Sequence, residues 1–445
     1  MIYRVIFSVV FIFLFLAGNC FPQEATFGLP FLTISPYTET NGMGTASVAN
    51  CTDDPLSVMT NPAHLGMFSE NQFISSGYNF SYWLPGYRIP DRWYQTFAIN
   101  TGLPLNKISE SAPPLSVGFG YSSVYLNVGK IIITKDSPEP IPPIYPYERS
   151  DQFSFGVGLD YCLKIFLGYT HKHITSSLPL DITGQRQEGD ANVNAFDLGL
   201  LVDIPVIDII SKLQGKPVVI FHNTTPFFDL NVGIAQNNLG SSRVVYDDPA
   251  RPVPLPRTAR AGLGLNLGIN YSKEEIVIKP ISFKWTIEAS AELIKSHSDT
   301  YDTTFDNEGN IIRINDVQAN WQYQSGLGDI KFLDEVILGK GNAQTMKAKG
   351  WEVNFLELFF LRGGRFEEDP TLGDQRFSTT GWGLRLSGLI KCLRILNVTP
   401  DDKTIPGLIL NHIDFRNDHS SWTTDDPKNP LNGTKFNSSM FYILL

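Results

Sequence analysis

The chain alternates between apolar and polar positions over long stretches. From residue 281 to 293 one set reads Ile281, Phe283, Trp285, Ile287, Ala289, Ala291 and Leu293, and the intervening set reads Ser282, Lys284, Thr286, Glu288, Ser290 and Glu292. A helix scatters these residues around its axis; a strand sorts them onto two faces. The same period recurs at 259–270, 153–161, 196–204, 228–234, 74–84 and 381–387.

Two all-β architectures fit such alternation. A soluble exported β-sandwich that binds a ligand such as a glycan also places apolar residues inward and polar ones outward. Several runs here, however, reach about 10 residues, the length of a tilted membrane strand, against about 5–6 for soluble strands. Their polar faces carry Gly, Asn, Ser and single charges of both signs, which suits a crowded or wet lumen. Aromatics at the ends of the apolar faces, Tyr82-Trp83 and Phe359-Phe360, stand where interfacial girdles form. The pattern predicts an all-β fold: a transmembrane antiparallel β-barrel of about 14 strands over residues 71–445. Pro- and Asp-rich stretches at 134–151, 244–257 and 297–316 read as long surface loops, and residues 205–217 as a short helix or a broken loop.

The first residues, MIYRVIFSVVFIFLFLAGNC, combine Arg4, an apolar core and small residues near position 18. The apolar run is short of the about 20 residues a spanning helix needs, so 1–20 is read as a signal peptide, with cleavage between 18 and 25. Of the 445 residues, 18% are charged and the net charge is −10, which excludes the basic face that nucleic acid requires. The mature chain keeps Cys51, Cys162 and Cys392, an odd number at wide spacing and no metal or disulfide framework.

No catalytic constellation emerges, no cofactor or metal is expected, and the chain is read as a non-enzyme. GLGLNLG (262–268) lacks the spacing of a dinucleotide loop; its glycines fall on one strand face, as small residues on an inner wall would. His171 and His173 share a strand face without an acidic or Cys partner at ligand spacing.

The stretch NGMGTASVANCTDDPLSVMTNPAHLGMF (41–68) precedes the first strand. Gly42, Gly44, Ala46 and Ala49 allow close backbone packing, and Asp53-Asp54 before Pro55 start a turn. Asn61 as cap and Pro62 as first residue open a short helix over 61–67. Small residues followed by a capped helix suit an N-terminal lumenal plug over residues 24–70, with Gly42, Met43, Gly44, Asp53, Asp54, Asn61, Pro62 and Ala63 as its motif.

At these residues the chain resembles the FadL-like outer-membrane protein superfamily, its PorV/PorQ branch in particular. There a Gly-Met-Gly-Ala segment leads through an Asp-containing turn to Asn-Pro-Ala; His64 stands here in place of the usual small residue. Later stretches, DLGLLVD (197–203), LNVGIAQNNLG (230–240) and LRGGRF (361–366), extend the resemblance. It implies a fourteen-stranded barrel of the bacterial outer membrane with a plug. Two functions follow from it. One is a type IX secretion system component that binds cargo C-terminal signal domains and secretion-system subunits. The other is a FadL-like channel with a hydrophobic ligand in its lumen. Outer-membrane lipid is the expected surrounding partner of either.

Overall fold

The computed structural model describes residues 27–445 apart from 71, 88, 90, 106–113, 132–142, 162, 179–188, 241–242, 247–252, 275, 298–301, 306–310, 316–319, 371, 399–411 and 445. The leader, Cys20 and Cys162 lie outside the described residues.

Fourteen strands form one closed, wholly antiparallel barrel in chain order. They are β1 Gln72–Tyr82, β2 Trp93–Pro104, β3 Leu115–Asn127, β4 Tyr147–Asp160 and β5 Lys164–Ser177. Then come β6 Asp190–Pro205, β7 Thr224–Leu239, β8 Thr258–Lys273, β9 Ile276–Glu292 and β10 Met346–Phe355. The last four are β11 Phe359–Glu367, β12 Arg376–Arg385, β13 Ile413–Thr424 and β14 Lys435–Leu444. β14 pairs with β1, Ser439 opposite Tyr78, and closure leaves no unpaired edge.

Burial identifies the two faces. Along β2, Tyr94, Thr96, Ala98 and Asn100 are buried while Phe97, Ile99 and Leu103 are exposed. The apolar face therefore points out and the polar face in, the reverse of a soluble protein. Register aligns the outer positions across strands: Leu265 stands opposite Trp285, and Trp285 opposite Trp351. No helix among the described residues is long and apolar enough to cross a membrane. A closed sheet of even strand number satisfies its backbone internally and offers lipid an apolar exterior. The protein is an outer-membrane β-barrel, and the single closed sheet overturns the sandwich alternative.

The connections are unequal. On one side run residues 83–92, 128–146, 178–189, 240–257, 293–345, 368–375 and 425–434; on the other, the short turns 161–163, 274–275 and 356–358 together with two helices, α3 Val206–Gln214 and α4 Leu386–Ile395. Long loops mark the extracellular side.

Some expectations are corrected. The loop expected over 134–151 ends earlier, because β4 already begins at Tyr147. The loop expected over 297–316 contains a hairpin, residues 302–305 pairing with 311–315. Of each aromatic doublet only one member is outward, since neighbours on a strand face opposite sides. Tyr82 is exposed, but Trp83 packs against buried Tyr94 and Trp422. Phe360 is buried beneath the Arg416 guanidinium.

Candidate lumenal site

Residues 28–69 run along the inner face of the strands. Gly28 N donates to Pro254 O of the extracellular loop at 2.9 Å. At the other end Glu70 meets Lys164, the first residue of β5, at 3.0 Å. Between them lie α1 Thr38–Asn41, a 3-10 turn Pro55–Met59 and α2 Ala63–Phe68, all buried but for Met67. α2 starts at Ala63, later than the Asn61 expected, with Pro62 in the cap position. Pro62 has no N–H, so Asn61 acts from one residue further back, its Oδ1 accepting from Ala63 N at 3.1 Å.

The motif residues spread over the wall. Gly42 faces Gly381, where an added Cβ would come within 3.2 Å. Met43 is fully buried. Gly44 has φ +67, donates to Thr379 Oγ1 at 2.7 Å, and leaves only 2.5 Å between an added Cβ and Arg365 N. Asp53 pairs with Arg385 at 2.7 Å. Asp54 accepts from Leu56 N at 2.9 Å and so does start the turn before Pro55. Asn61 Nδ2 donates to Val48 O at 2.9 Å and to Leu200 O of β6 at 3.3 Å. Pro62 and Ala63 lie against Gly168, whose missing Cβ would sit 2.0 Å from Pro62 C. The eight residues form no single pocket; they are successive points of attachment.

The enclosed space is layered. At the extracellular end Leu29, Phe31, Tyr37, Leu56 and Met59 pack against inward residues of the upper strands, among them Tyr94, Val124, Ile174, Val193, Phe377, Trp422 and Phe436. The Phe377 and Trp422 rings stack with centroids 4.3 Å apart, and Trp422 Nε1 donates to Asn41 O at 3.0 Å. This apolar and aromatic cluster shares the extracellular half of the lumen with buried Glu148, Ser150 and Ser176 on the wall.

Below it lies a buried charge network that the motif reading missed. Glu39 of α1 is fully buried. Its Oε2 meets Arg416 Nη2 at 2.8 Å and its Oε1 meets Lys284 Nζ at 3.4 Å. Asn50 and Thr52 donate to the same carboxylate at 2.8 Å and 2.7 Å. Arg416 also reaches Asp418 at 2.8 Å, and Arg362 bridges Asp418 and Glu352 at 3.0 Å and 2.7 Å. Burial alone would raise the Glu39 carboxyl; Lys284, Arg416 and Arg362 together hold it well below the usual carboxylate range. The sequence did carry a signal: Lys284 and Glu288 stand on the polar set of the 281–293 alternation, which is the inward face. Glu288 accepts from Ser47 N at 2.6 Å and Val48 N at 2.8 Å while meeting Arg260 at 2.6 Å.

Oxygens of Glu39, Asp54 and Asp418 lie within 4.8 Å of one another, a separation compatible with a cation. Arg416 Nη2 already stands 2.8 Å from both Glu39 and Asp418, so a guanidinium supplies the positive charge. Asp54 Oδ2 has no hydrogen-bond partner among the described residues, and burial pushes the Asp54 carboxyl up to about 8. A neutral acid fits there. His173 lies on the outer face, 3.1 Å from Asn194 Oδ1.

No family model matches the chain, and no curated protein matches it. Among solved structures, a FadL homologue from Pseudomonas aeruginosa is similar over 96% of this chain and 100% of its own, at 11% identity and TM-score 0.32. The Ralstonia pickettii toluene transporter TbuX matches over 93% and 99%, at 9% identity and TM-score 0.34. The Pseudomonas putida toluene transporter TodX matches over 95% and 98%, at 9% identity and TM-score 0.35. Scores at this level carry no functional argument.

Proposed function

We propose that the protein is an outer-membrane channel for small apolar molecules, held shut by a plug formed by residues 28–69. One observation carries this reading: a continuous cluster of apolar and aromatic side chains fills the lumen at its extracellular end, where a water-filled porin presents polar ones. Leu29, Phe31 and Tyr37 occupy that chamber and stand in for an apolar guest. Movement of this short stretch would exchange one set of apolar contacts for another at modest cost, because apolar burial is non-directional. The charged layer below resists displacement of the rest of the segment.

The test is binding and uptake. In lipid nanodiscs the protein should bind a long-chain fatty acid or a monoaromatic hydrocarbon, and a Leu29→Ala/Phe31→Ala variant, with its chamber partly vacated, should bind more tightly. Absence of binding to both proteins, with free entry of small sugars into reconstituted vesicles, would overturn the reading.

A second reading is a secretion role with protein cargo. It is supported by the extracellular segment around the π-turn Leu333–Ile337, where buried Glu335 accepts from Lys331 N and Asn342 Nδ2 at 2.8 Å each. That segment holds Leu333, Ile337 and Leu338 exposed in a fixed arrangement. Purified C-terminal signal domains of secreted cargo should then bind the wild type and lose affinity for Leu333→Asp/Leu338→Asp. Equal binding to both, or none, removes this alternative.

A further inference from the structure

The lipid-facing surface is not uniform around the barrel. Strands β4 to β9 have 14 to 17 residues, but β10, β12 and β14 have 10 each and β13 has 12. A strand tilted by about 40° rises roughly 2.6 Å per residue, so 10 residues cover about 26 Å, close to the apolar band of about 25 Å. The short strands are therefore just long enough to span, and their outward positions lie at membrane depth along nearly their whole length.

On β8 the outward positions Leu263, Leu265, Leu267 and Ile269 are all apolar; above them Ala259 and Ala261 are buried in one cluster with Ile330 and Val336 of the extracellular segment. On β12, β13 and β14 the outward positions are not all apolar. Trp382, Phe415 and Phe441 are the last apolar outward residues going up from the periplasmic end. Above them come Thr380 on β12, Asn417, His419 and Ser421 on β13, and Asn437 and Ser439 on β14. These side chains are tied across strands. Thr380 Oγ1 and Ser421 Oγ are 3.1 Å apart, Asn417 Nδ2 donates to Ser439 Oγ at 2.9 Å, and His419 Nδ1 lies 2.7 Å from Asn437 Oδ1. Each Asn and each His still has hydrogen-bonding capacity beyond these contacts. Hydrocarbon offers nothing to meet it, and an unmet polar group in lipid is costly.

We infer that the outward face of β12–β14 is an interface within the membrane, occupied by a second copy of this chain. Ser, Thr, Asn and His each donate and accept, so the patch complements itself under a two-fold axis, the arrangement of most homo-oligomers. The arginines at its upper border are paired within one copy, Arg365 with Asp425 at 2.6 Å and Glu367 at 3.1 Å, and Arg376 with Asp374 at 3.0 Å, while Lys435 on β14 stands exposed at that border. On the β1 side Tyr78 and Phe80, opposite Ser439 and Asn437, return the surface to aromatic residues; on the β11 side Gly363 stands opposite Thr380, and Leu361 opposite Trp382 below the patch.

A photo-cross-linking amino acid placed at Ser439 in intact outer membranes should give a species at twice the chain mass; the same group at Leu267, on the apolar face of β8, should not. A monomer band alone, or an adduct with lipid or with a different polypeptide, overturns the proposal. Independently, Thr380→Leu/Asn417→Leu/Ser439→Leu should lower the dimer fraction in lipid nanodiscs at least tenfold while the barrel stays heat-modifiable on gels. An unchanged dimer fraction also overturns it. Should this triple variant fail to fold, the cross-link at position 439 decides alone.

Discussion

Arg416 of β13 and Glu39 of the N-terminal segment, 377 positions apart in the chain, face each other with Nη2 2.8 Å from Oε2 inside the barrel. Lys284 of β9 reaches the same carboxylate from another part of the wall. One acidic side chain thus ties the segment to strands four positions apart around the barrel. Removing one member of a buried charge set costs about 3–5 kcal/mol, because the others remain desolvated without a partner. Glu39→Ala should loosen the segment while the barrel, held by its own closed ladder, survives. Conductance in planar bilayers should rise for small ions, with heat-modifiability unchanged. Conductance equal to wild type would show that Glu39 does not hold the segment in place.

Gly44 and Gly364 touch backbone to backbone from opposite sides of one contact. A Cβ on Gly364 would lie 2.2 Å from Gly44 N, and Gly44 itself has φ +67. Gly364→Val and Gly44→Val should therefore give one phenotype by two routes, each costing about 1–3 kcal/mol through overpacking. Protease should cut residues 28–69 faster in both variants. Protection matching the wild type in either would show that this approach is not tight.

Asn61 makes more contacts than a cap alone. Its carbonyl oxygen accepts from Ala63 N, and its amide donates both to Val48 O and to Leu200 O on the wall. Asn61→Ala should cost about 3 kcal/mol or more, a capping loss of about 1 plus about 1 or more for each of two buried carbonyls that lose this donor. Asn61→Asp keeps the accepting oxygen but sets a second carboxylate oxygen against Val48 O and Leu200 O, so it should cost more than Asn61→Ala. Hydrogen exchange at residues 61–69 reads this order directly.

Asp54 gives the segment a pH dependence. Its carboxyl titrates at about 8 in the folded protein, against an ordinary 3.8. The folded state holds the proton longer than the unfolded one, so the stabilisation is complete below about 4 and is lost as pH rises toward 8. Attachment of residues 28–69 should weaken over that range, seen as faster proteolysis at pH 8 than at pH 5. Asp54→Asn keeps an oxygen for Leu56 N and cannot ionise, so its proteolysis rate should be flat. A variant as pH-sensitive as the parent would assign the effect elsewhere.

By itself the sequence determined the class of fold. Period-two alternation makes strands, because each must hide one face and pair both edges, and runs of about ten residues favour a membrane barrel over a sandwich. A barrel of about 14 strands and the inward glycines of the 262–268 stretch were legible that way, since each depends on local periodicity and near neighbours, and the structure chose the helix over a broken loop within 205–217. Strand ends and girdle residues were less so: Trp83 and Phe360 look like their outward neighbours until register assigns a face. What only the tertiary structure decided is which inward residues meet. Glu39, Lys284, Arg362, Arg416 and Asp418 are single charges on separate segments with no spacing to link them. Barrel closure brings them together, and burial then makes their pairing obligatory. The polar face of β12–β14 belongs to the same class. Each strand taken alone shows a few Ser, Thr, Asn or His residues, and a continuous surface at membrane depth appears only when the three stand side by side.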